Sequence, residues 1–167
     1  MKALSISIAL VLLTGGSSIT LATDPGAPLS TSYRSVPIPV EFYSYQYLPP
    51  ISFVSNSIEF KSLLDSIKSA TGDICESRTR TQLDTLLRGI SVDFKTEALV
   101  LIRDIQGSGS VKVQLDPPTI NNDTLRCIIK YDTPKGFMTF DMSYRCFAFI
   151  VNKSKIKGVK VDWETVK

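Results

Sequence analysis

The stretch EALVLIRDI, Glu97 to Ile105, decides the fold. Its apolar residues follow one another from Ala98 to Ile102, without the alternation of a strand that faces water on one side. A near-continuous apolar run of this length is typical of a buried β-strand. We therefore expect the core of the protein to be built around this segment.

The sequence on the C-terminal side of this strand continues with alternating, strand-like segments. They are separated by short stretches rich in Gly, Pro, Asn or Lys, such as GSGS (Gly107–Ser110), PPTINND (Pro117–Asp123) and NKSKIKG (Asn152–Gly158). Closely spaced strands without intervening helices favour an antiparallel sheet. The predicted strands are VKVQLD (Val111–Asp116), LRCIIKYD (Leu125–Asp132), SYRCFAFIV (Ser143–Val151) and VKVDWETV (Val159–Val166).

Two helical patterns precede these strands. In Ser55–Gly72, Asn56 followed by Glu59 resembles a capping box, and an apolar stripe with helical spacing comes next. A shorter pattern covers Thr81–Ile90 and ends at Gly89. The fold class expected from this order is α+β, with one or two N-terminal helices packed on a mainly antiparallel, sandwich-like sheet of about five to seven strands.

The N-terminus has the features of a secretory signal peptide. Lys2 is followed by an apolar run from Ala3 to Leu13, and Thr20-Leu21-Ala22 suits cleavage after Ala22. The apolar run is shorter than the roughly 20 residues that span a bilayer, and no later segment predicts a transmembrane anchor. We therefore expect a signal peptide at 1–22, an extended Pro- and Tyr-rich arm at 23–54, and one globular domain at 55–167, in a protein exported to the periplasm or beyond the cell.

Composition limits the classes of function. The chain has no histidine, the commonest general base and metal ligand, so Ser-His-Asp and Cys-His hydrolase sites and His-based zinc sites are excluded. The net charge of +3 is too small for a nucleic-acid-binding surface. No catalytic, cofactor-binding or metal-binding residue is predicted, and the oligomeric state is left open.

Cys127 and Cys146 lie on two consecutive predicted strands. If these strands form a hairpin, both side chains point to the same side, as a disulfide requires. Exported proteins mature where disulfides persist, so we expect a Cys127–Cys146 disulfide, with two buried free thiols as the alternative. Cys75 is the odd cysteine, and three alternatives stay open for it: a free thiol, a partner in an intermolecular disulfide, or a competitor for one of the other two cysteines.

Carboxylates provide the main alternative in which the protein is an enzyme. Asp93 and Glu97 could act as an acid–base pair, although a turn cap and a solvated flank explain them as well. The further acids of a carboxylate-dependent hydrolase would be Asp116, Asp132 and Asp141, which lie at strand ends. Ser154-x-x-Lys157 has the spacing of a Ser-Lys dyad, in a lysine-rich stretch that we interpret as a solvated connection.

The arm contains a row of tyrosines, Tyr43, Tyr45 and Tyr47, in a segment interrupted by four prolines between Tyr33 and Val54. At strand spacing, these rings would face one way and form an interaction surface, or pack onto the domain. The segment itself is expected to be an extended arm or an edge strand.

The region Val92–Val161 resembles the C-terminal domain family of the PrcB-type protease complex subunit, found in exported bacterial proteins. The residues behind this resemblance are the strand entry VDFKTEALVLI, the glycine-bearing turn GSGSV (Gly107–Val111) and the alternating strands that follow. The resemblance implies a non-catalytic companion that binds or stabilises a surface protease.

Together these observations predict an exported, non-catalytic domain that acts through protein contacts with another envelope or secreted protein, such as a protease. The alternatives are a carboxylate-dependent hydrolase and a binding module for glycan or lipid, which would require a concave apolar pocket.

Overall fold

The structure is a computed structural model, and it describes residues 32–39, 43–70, 74–136 and 139–166. The predicted signal peptide and the first part of the predicted arm lie outside the described residues. Within them the chain forms two helices, eight strands and a 3₁₀ helix at Tyr43–Tyr47. The helices are α1 (Ser57–Ser69) and α2 (Ile74–Arg88), and the strands are β1 (Tyr33–Val36), β2 (Ile51–Val54), β3 (Glu97–Gln106), β4 (Lys112–Leu115), β5 (Thr119–Asn121), β6 (Thr124–Asp132), β7 (Ser143–Asn152) and β8 (Gly158–Val166).

The first sheet has the order β1-β7-β3-β2, and all of its neighbours are antiparallel. Its centre is the pair β3–β7, which runs for ten residues on each strand, from Glu97 opposite Asn152 to Gln106 opposite Ser143. The outer strands β1 and β2 have only four residues each. The segment that we expected to be an extended arm thus supplies both edge strands of this sheet.

The second sheet is built around β6. β8 pairs with β6 in parallel along its whole length, from Thr124 to Asp132. β4 pairs with one end of β6 and β5 with the other, so these two short strands share the remaining edge. Pro117 and Pro118 separate them, because proline has no N–H to donate to a ladder.

The two faces of β3 and β7 are both covered. Leu99 and Leu101 share a cluster with Cys146 and with buried leucines of both helices, such as Leu64 and Leu83. The alternate residues of the same strands belong to a second cluster, which includes buried residues of β6 and β8. Because successive side chains of a strand point to opposite faces, β3 and β7 form the middle layer between the helices and the second sheet.

The start of α1 follows from its capping residues. Oδ1 of Asn56 accepts hydrogen bonds from the N–H groups of Ile58 and Glu59, at 3.0 and 2.9 Å. The Glu59 carboxylate accepts from the N–H of Ser55 at 2.7 Å, which lowers the pKa of Glu59. The predicted cap at Asn56 is therefore confirmed, although the glutamate reaches one residue further back than in a regular capping box.

The predicted α+β class with a β-rich core is confirmed, but three details differ. The described residues form eight strands in two sheets, more than the five to seven strands predicted. The pattern missed β1, β2 and β5, because these strands are short and lie next to prolines or turns. The pair β6–β8 is parallel, since the chain crosses to the first sheet as β7 before it returns. α2 begins at Ile74, seven residues before the predicted start at Thr81.

Two neighbouring residues of β3 test this three-layer arrangement. Leu101 and Ile102 are both fully buried but belong to different clusters. Leu101→Ala and Ile102→Ala are each expected to lower the free energy of unfolding by about 2–5 kcal/mol, measured by urea denaturation. Ile58→Ala, at a position 80% exposed on α1, is the control and should change it by less than about 0.5 kcal/mol. A loss in only one of the two β3 variants would contradict burial on both faces.

Candidate functional site

The edge of β7 is only partly covered. β1 pairs with Ala148–Val151, whereas β7 begins at Ser143. Among the described residues, no strand extends this pairing beyond Ala148. Pro37 and Pro39 follow β1, and neither has an N–H to donate to a ladder.

A groove of about 200 Å³ lies beside this edge, at the seam between the two sheets. It is lined by Arg145–Phe149 of β7, by Ser35–Ile38 at the end of β1 and just beyond it, and by Val113 and Leu115 of β4. Most of these side chains are apolar. The groove therefore offers a mainly apolar surface along β7 past the end of β1.

Among the described residues, Arg145 is the charged side chain that lines the groove. Arg145 is 9% exposed, and its Nη2 donates to the carbonyl oxygen of Val111 at 3.5 Å. In the β3–β7 register it stands opposite Asp104, which is 4% exposed. A buried charge is tolerated only when opposite charge or hydrogen bonds compensate its lost hydration, and this register places two opposite charges on neighbouring strands.

Asp104 is also bound from the second sheet. The hydroxyl of Tyr131 donates to Oδ1 of Asp104 at 2.6 Å, and Nε2 of Gln106 donates to the same oxygen at 3.1 Å. Burial, followed by the hydrogen bond to Asp104, raises the pKa of Tyr131 well above its ordinary value of 10.0, so the phenol stays protonated as a donor. These bonds connect Asp104, the residue opposite Arg145, to both sheets.

Sequence reasoning missed Asp104 and Arg145. Asp104 lies in a run that reads as an apolar strand, and Arg145 lies in SYRCFAFIV. A signal was present, because a charge inside a buried strand requires a partner on a neighbouring strand. Finding that partner requires the register of β3 against β7, which the separate patterns do not contain.

The predicted tyrosine surface is wrong in its geometry. Tyr43–Tyr47 is a 3₁₀ helix, so the rings do not alternate as on a strand. Tyr45 is 1% exposed, and its hydroxyl donates to the carbonyl oxygen of Pro39 at 2.8 Å. Tyr47 is half-buried beneath the guanidinium of Arg80, 5.5 Å from the ring centre, and the side chain of Tyr43 lies outside the described residues. For Tyr45 and Tyr47, packing onto the domain is the arrangement found.

The predicted hairpin between β6 and β7 is also wrong. β6 lies in the second sheet and β7 in the first. Cys127 therefore faces the space between the sheets, whereas Cys146 faces the helices on the far side of β7. Both are free, buried cysteines, and the expected Cys127–Cys146 disulfide is not formed. The side chain of Cys75, in α2, lies outside the described residues.

The structure brings Asp93 and Glu97 together, because Oε2 of Glu97 accepts from the backbone N–H of Asp93 at 3.0 Å. The carboxylates singled out in the sequence otherwise have different neighbours. Asp93 accepts from the N–H of Lys95 at 3.1 Å and from the hydroxyl of Thr96 at 3.0 Å, the turn-cap role. Two carboxylates form ion pairs, Glu97 with Arg34 at 3.4 Å and Asp116 with Lys130 at 2.6 Å. Asp141 accepts a hydrogen bond from the N–H of Gly109 at 3.3 Å. Asp132 stands opposite Lys112 in the β4–β6 register.

In the lysine-rich connection after β7, Ser154 and Lys157 bind different partners and not each other. One of its lysines, Lys153, is bound to the body of the domain. The hydroxyl of Ser154 donates to Oδ1 of Asn152 at 2.6 Å, and Nζ of Lys157 pairs with Asp123 at 3.4 Å. Nζ of Lys153 donates to the carbonyl oxygens of Ser55 and Phe94, so this lysine joins the connection to the segments before α1 and before β3.

In the described parts of the chain, no group of three or more Cys, Asp or Glu side chains is placed to hold a metal ion. Neither helix is long and apolar enough to cross a membrane.

The two thiols give a test with a defined pH dependence. Burial raises the pKa of Cys127 from 9.0 to about 11 and that of Cys146 from 9.0 to about 12. Above pH 9 the unfolded thiols ionise while the folded ones stay protonated, so stability is lost by about 1.4 kcal/mol per pH unit for each thiol until its folded pKa is reached. The stability difference between wild type and Cys146→Ala should shrink accordingly between pH 9 and 12.

Val151→Ala, at a fully buried position that does not titrate, is the matched control, and its difference from wild type should not change with pH. Iodoacetamide should leave Cys127 and Cys146 unlabelled in the folded protein and label both in denaturant. A non-reduced Cys127–Cys146 peptide pair, or a difference independent of pH for Cys146→Ala, would contradict this assignment.

Comparisons of the chain with protein-family models, with curated proteins and with solved structures gave no match. The resemblance of Val92–Val161 to the PrcB-type C-terminal domain family stays a prediction.

Proposed function

We propose that this protein is an exported, non-catalytic binding domain that captures an extended segment of another exported protein along the groove beside β7. The observation that carries this proposal is the mainly apolar groove that runs along β7 past the end of β1. Export is proposed from the predicted signal peptide, and a companion role for a surface protease from the family resemblance.

The geometry suits recognition by strand addition. A bound segment would continue the line of β1 beside Cys146 and Phe147 of β7, where main-chain hydrogen bonds would supply affinity independently of sequence. Its alternate side chains would point into the seam between the sheets, where Val113, Leu115 and Phe147 line the groove. Selectivity would then come from the side chain seated there.

The size of the groove favours a peptide over a free small molecule. Ligand pockets usually measure about 300–1,000 Å³, and this groove measures about 200 Å³. That space fits one or two apolar side chains. A glycan- or lipid-binding module is the second candidate, because the lining is apolar. The hydrolase alternative gains no support, because Asp93 caps a turn and Glu97 is bound by the N–H of Asp93 and by Arg34.

The groove is also well supported. β7 is fixed by β3 along its full length and covered on both faces, so little ordering is needed when a segment binds. A preformed site loses less affinity to conformational entropy than a flexible one.

Selection from a library of displayed linear peptides tests the proposal. The purified protein should enrich peptides with a recurring apolar residue in an extended pattern. The enriched peptide should bind wild type, and Leu115→Asp should weaken binding at least about tenfold in fluorescence anisotropy, or about 1.4 kcal/mol. Ile128→Asp is the matched control, since Ile128 is half-buried on the other face of β6, away from the groove, and this variant should bind as wild type does.

Equal weakening by both variants, or no enriched peptide, would contradict the proposal. A fluorescent fatty acid that binds wild type and competes at the same groove would favour the second candidate instead.

A further inference from the structure

The longest open edge in the described part of the chain belongs to β8. β8 has nine residues, pairs with β6 on one side, and has no described strand on the other. The four short edge strands lie close to prolines: Pro37 follows β1, Pro50 precedes β2, and Pro117 and Pro118 separate β4 from β5. Proline is a common protection of strand edges against pairing with another chain, and β8 lacks it.

The residues of β8 alternate cleanly between its two faces. Lys160, Asp162 and Glu164 lie on the outer face, and Val159, Val161 and Trp163 on the inner face. Trp163 is 47% exposed, because β8 extends beyond the cover of the first sheet. An exposed indole beside an open strand edge is a feature of a contact surface.

We propose that β8 pairs with β8 of a second copy, antiparallel and centred on Val161, so that the two second sheets form one continuous sheet across the dimer. The register follows from charge. Centred on Val161, each Lys160 faces Asp162 of the other copy, and each Val159 faces Trp163 of the other copy. Opposite-charge pairs and aromatic–β-branched pairs are the favourable cross-strand combinations.

The registers centred on the residues next to Val161, and the one centred on Trp163, are worse. Centred on Lys160 or on Asp162, two Lys160 ammonium groups or two Asp162 carboxylates would oppose each other at the axis, and centred on Trp163, Asp162 would face Glu164 twice. Like charges directly opposite are destabilising. Of these four registers, only the one centred on Val161 avoids them.

Asp162 is suited to accept another cation. Its carboxylate already binds Nε of Arg126 at 2.6 Å and Nζ of Lys160 at 3.3 Å. The hydrogen bond from Arg126 is the main cause that lowers the pKa of Asp162, so the group is ionised at neutral pH. In the dimer, Lys160 of the second copy would join these partners, while the groove lies on the opposite side of the second sheet, next to β4.

Sedimentation equilibrium with complementary charge reversals tests the interface and its register. A contact made by one strand edge from each copy belongs to the class of weak protein–protein interfaces, with a Kd expected on the order of 10 µM. Protein concentrations should therefore extend well above that value. Lys160→Asp and Asp162→Lys should each be monomeric, since each creates two like-charge pairs. Mixed in equal amounts they should form a heterodimer, because all four facing charges are then opposite.

Glu164→Lys is the matched control, because Glu164 faces Gly158 in this register, and it should dimerise as wild type does. Trp163, the single tryptophan of the chain, gives a readout without mutation, since its emission should shift to the blue as wild type dimerises. Thermal unfolding confirms that each variant is folded. A monomeric wild type with constant emission, single reversals that stay dimeric, or folded reversals that do not associate when mixed would each overturn the proposal. Loss of the dimer in Glu164→Lys would overturn the register.

Discussion

Burial of β3 and β7 on both faces is the constraint on which the rest of this structure depends. A strand pair with apolar side chains on both sides is stable only between two covering layers, since either face left in water would forfeit its hydrophobic stabilisation. The helices cover one face and the second sheet covers the other. Both faces of the central pair are therefore fully occupied, and recognition is left to the edges.

The edges of the two sheets are not covered equally. Short strands next to prolines lie at most of them. Among the described strands, β1 pairs with the second edge of β7 along less than half of its length, and none pairs with the outer edge of β8. Arg145 connects the core to the β7 edge, because its guanidinium lies at the groove while Asp104, opposite it in the register, is hydrogen-bonded to Tyr131 of the second sheet. An extended partner at β7 and a second copy at β8 would occupy opposite sides of the molecule and would not compete.

The local pattern of the sequence was sufficient for single elements. The apolar run of β3 and the cap at Asn56 predicted a buried strand and a helix start, and both are present. What local pattern cannot show is which strand pairs with which. Cys127 and Cys146 lie on strands that are consecutive among the long ones, yet the chain changes sheets between them, and the hairpin prediction failed for that reason. The tyrosine row failed because alternation in a proline-rich segment does not distinguish a strand from a 3₁₀ turn, and Asp104 was missed because its partner is defined only by register.

The central claim, that β3 and β7 form the middle layer of the molecule, is tested most directly by amide hydrogen exchange followed residue by residue with NMR. All amides of Leu99–Ile102 and of Ala148–Val151 are expected to exchange slowly, since β3 and β7 are paired on both edges there and covered on both faces. Fast exchange at the amides of Leu99–Ile102 would contradict the account, because it would mean that β3 is not enclosed in the centre of the first sheet.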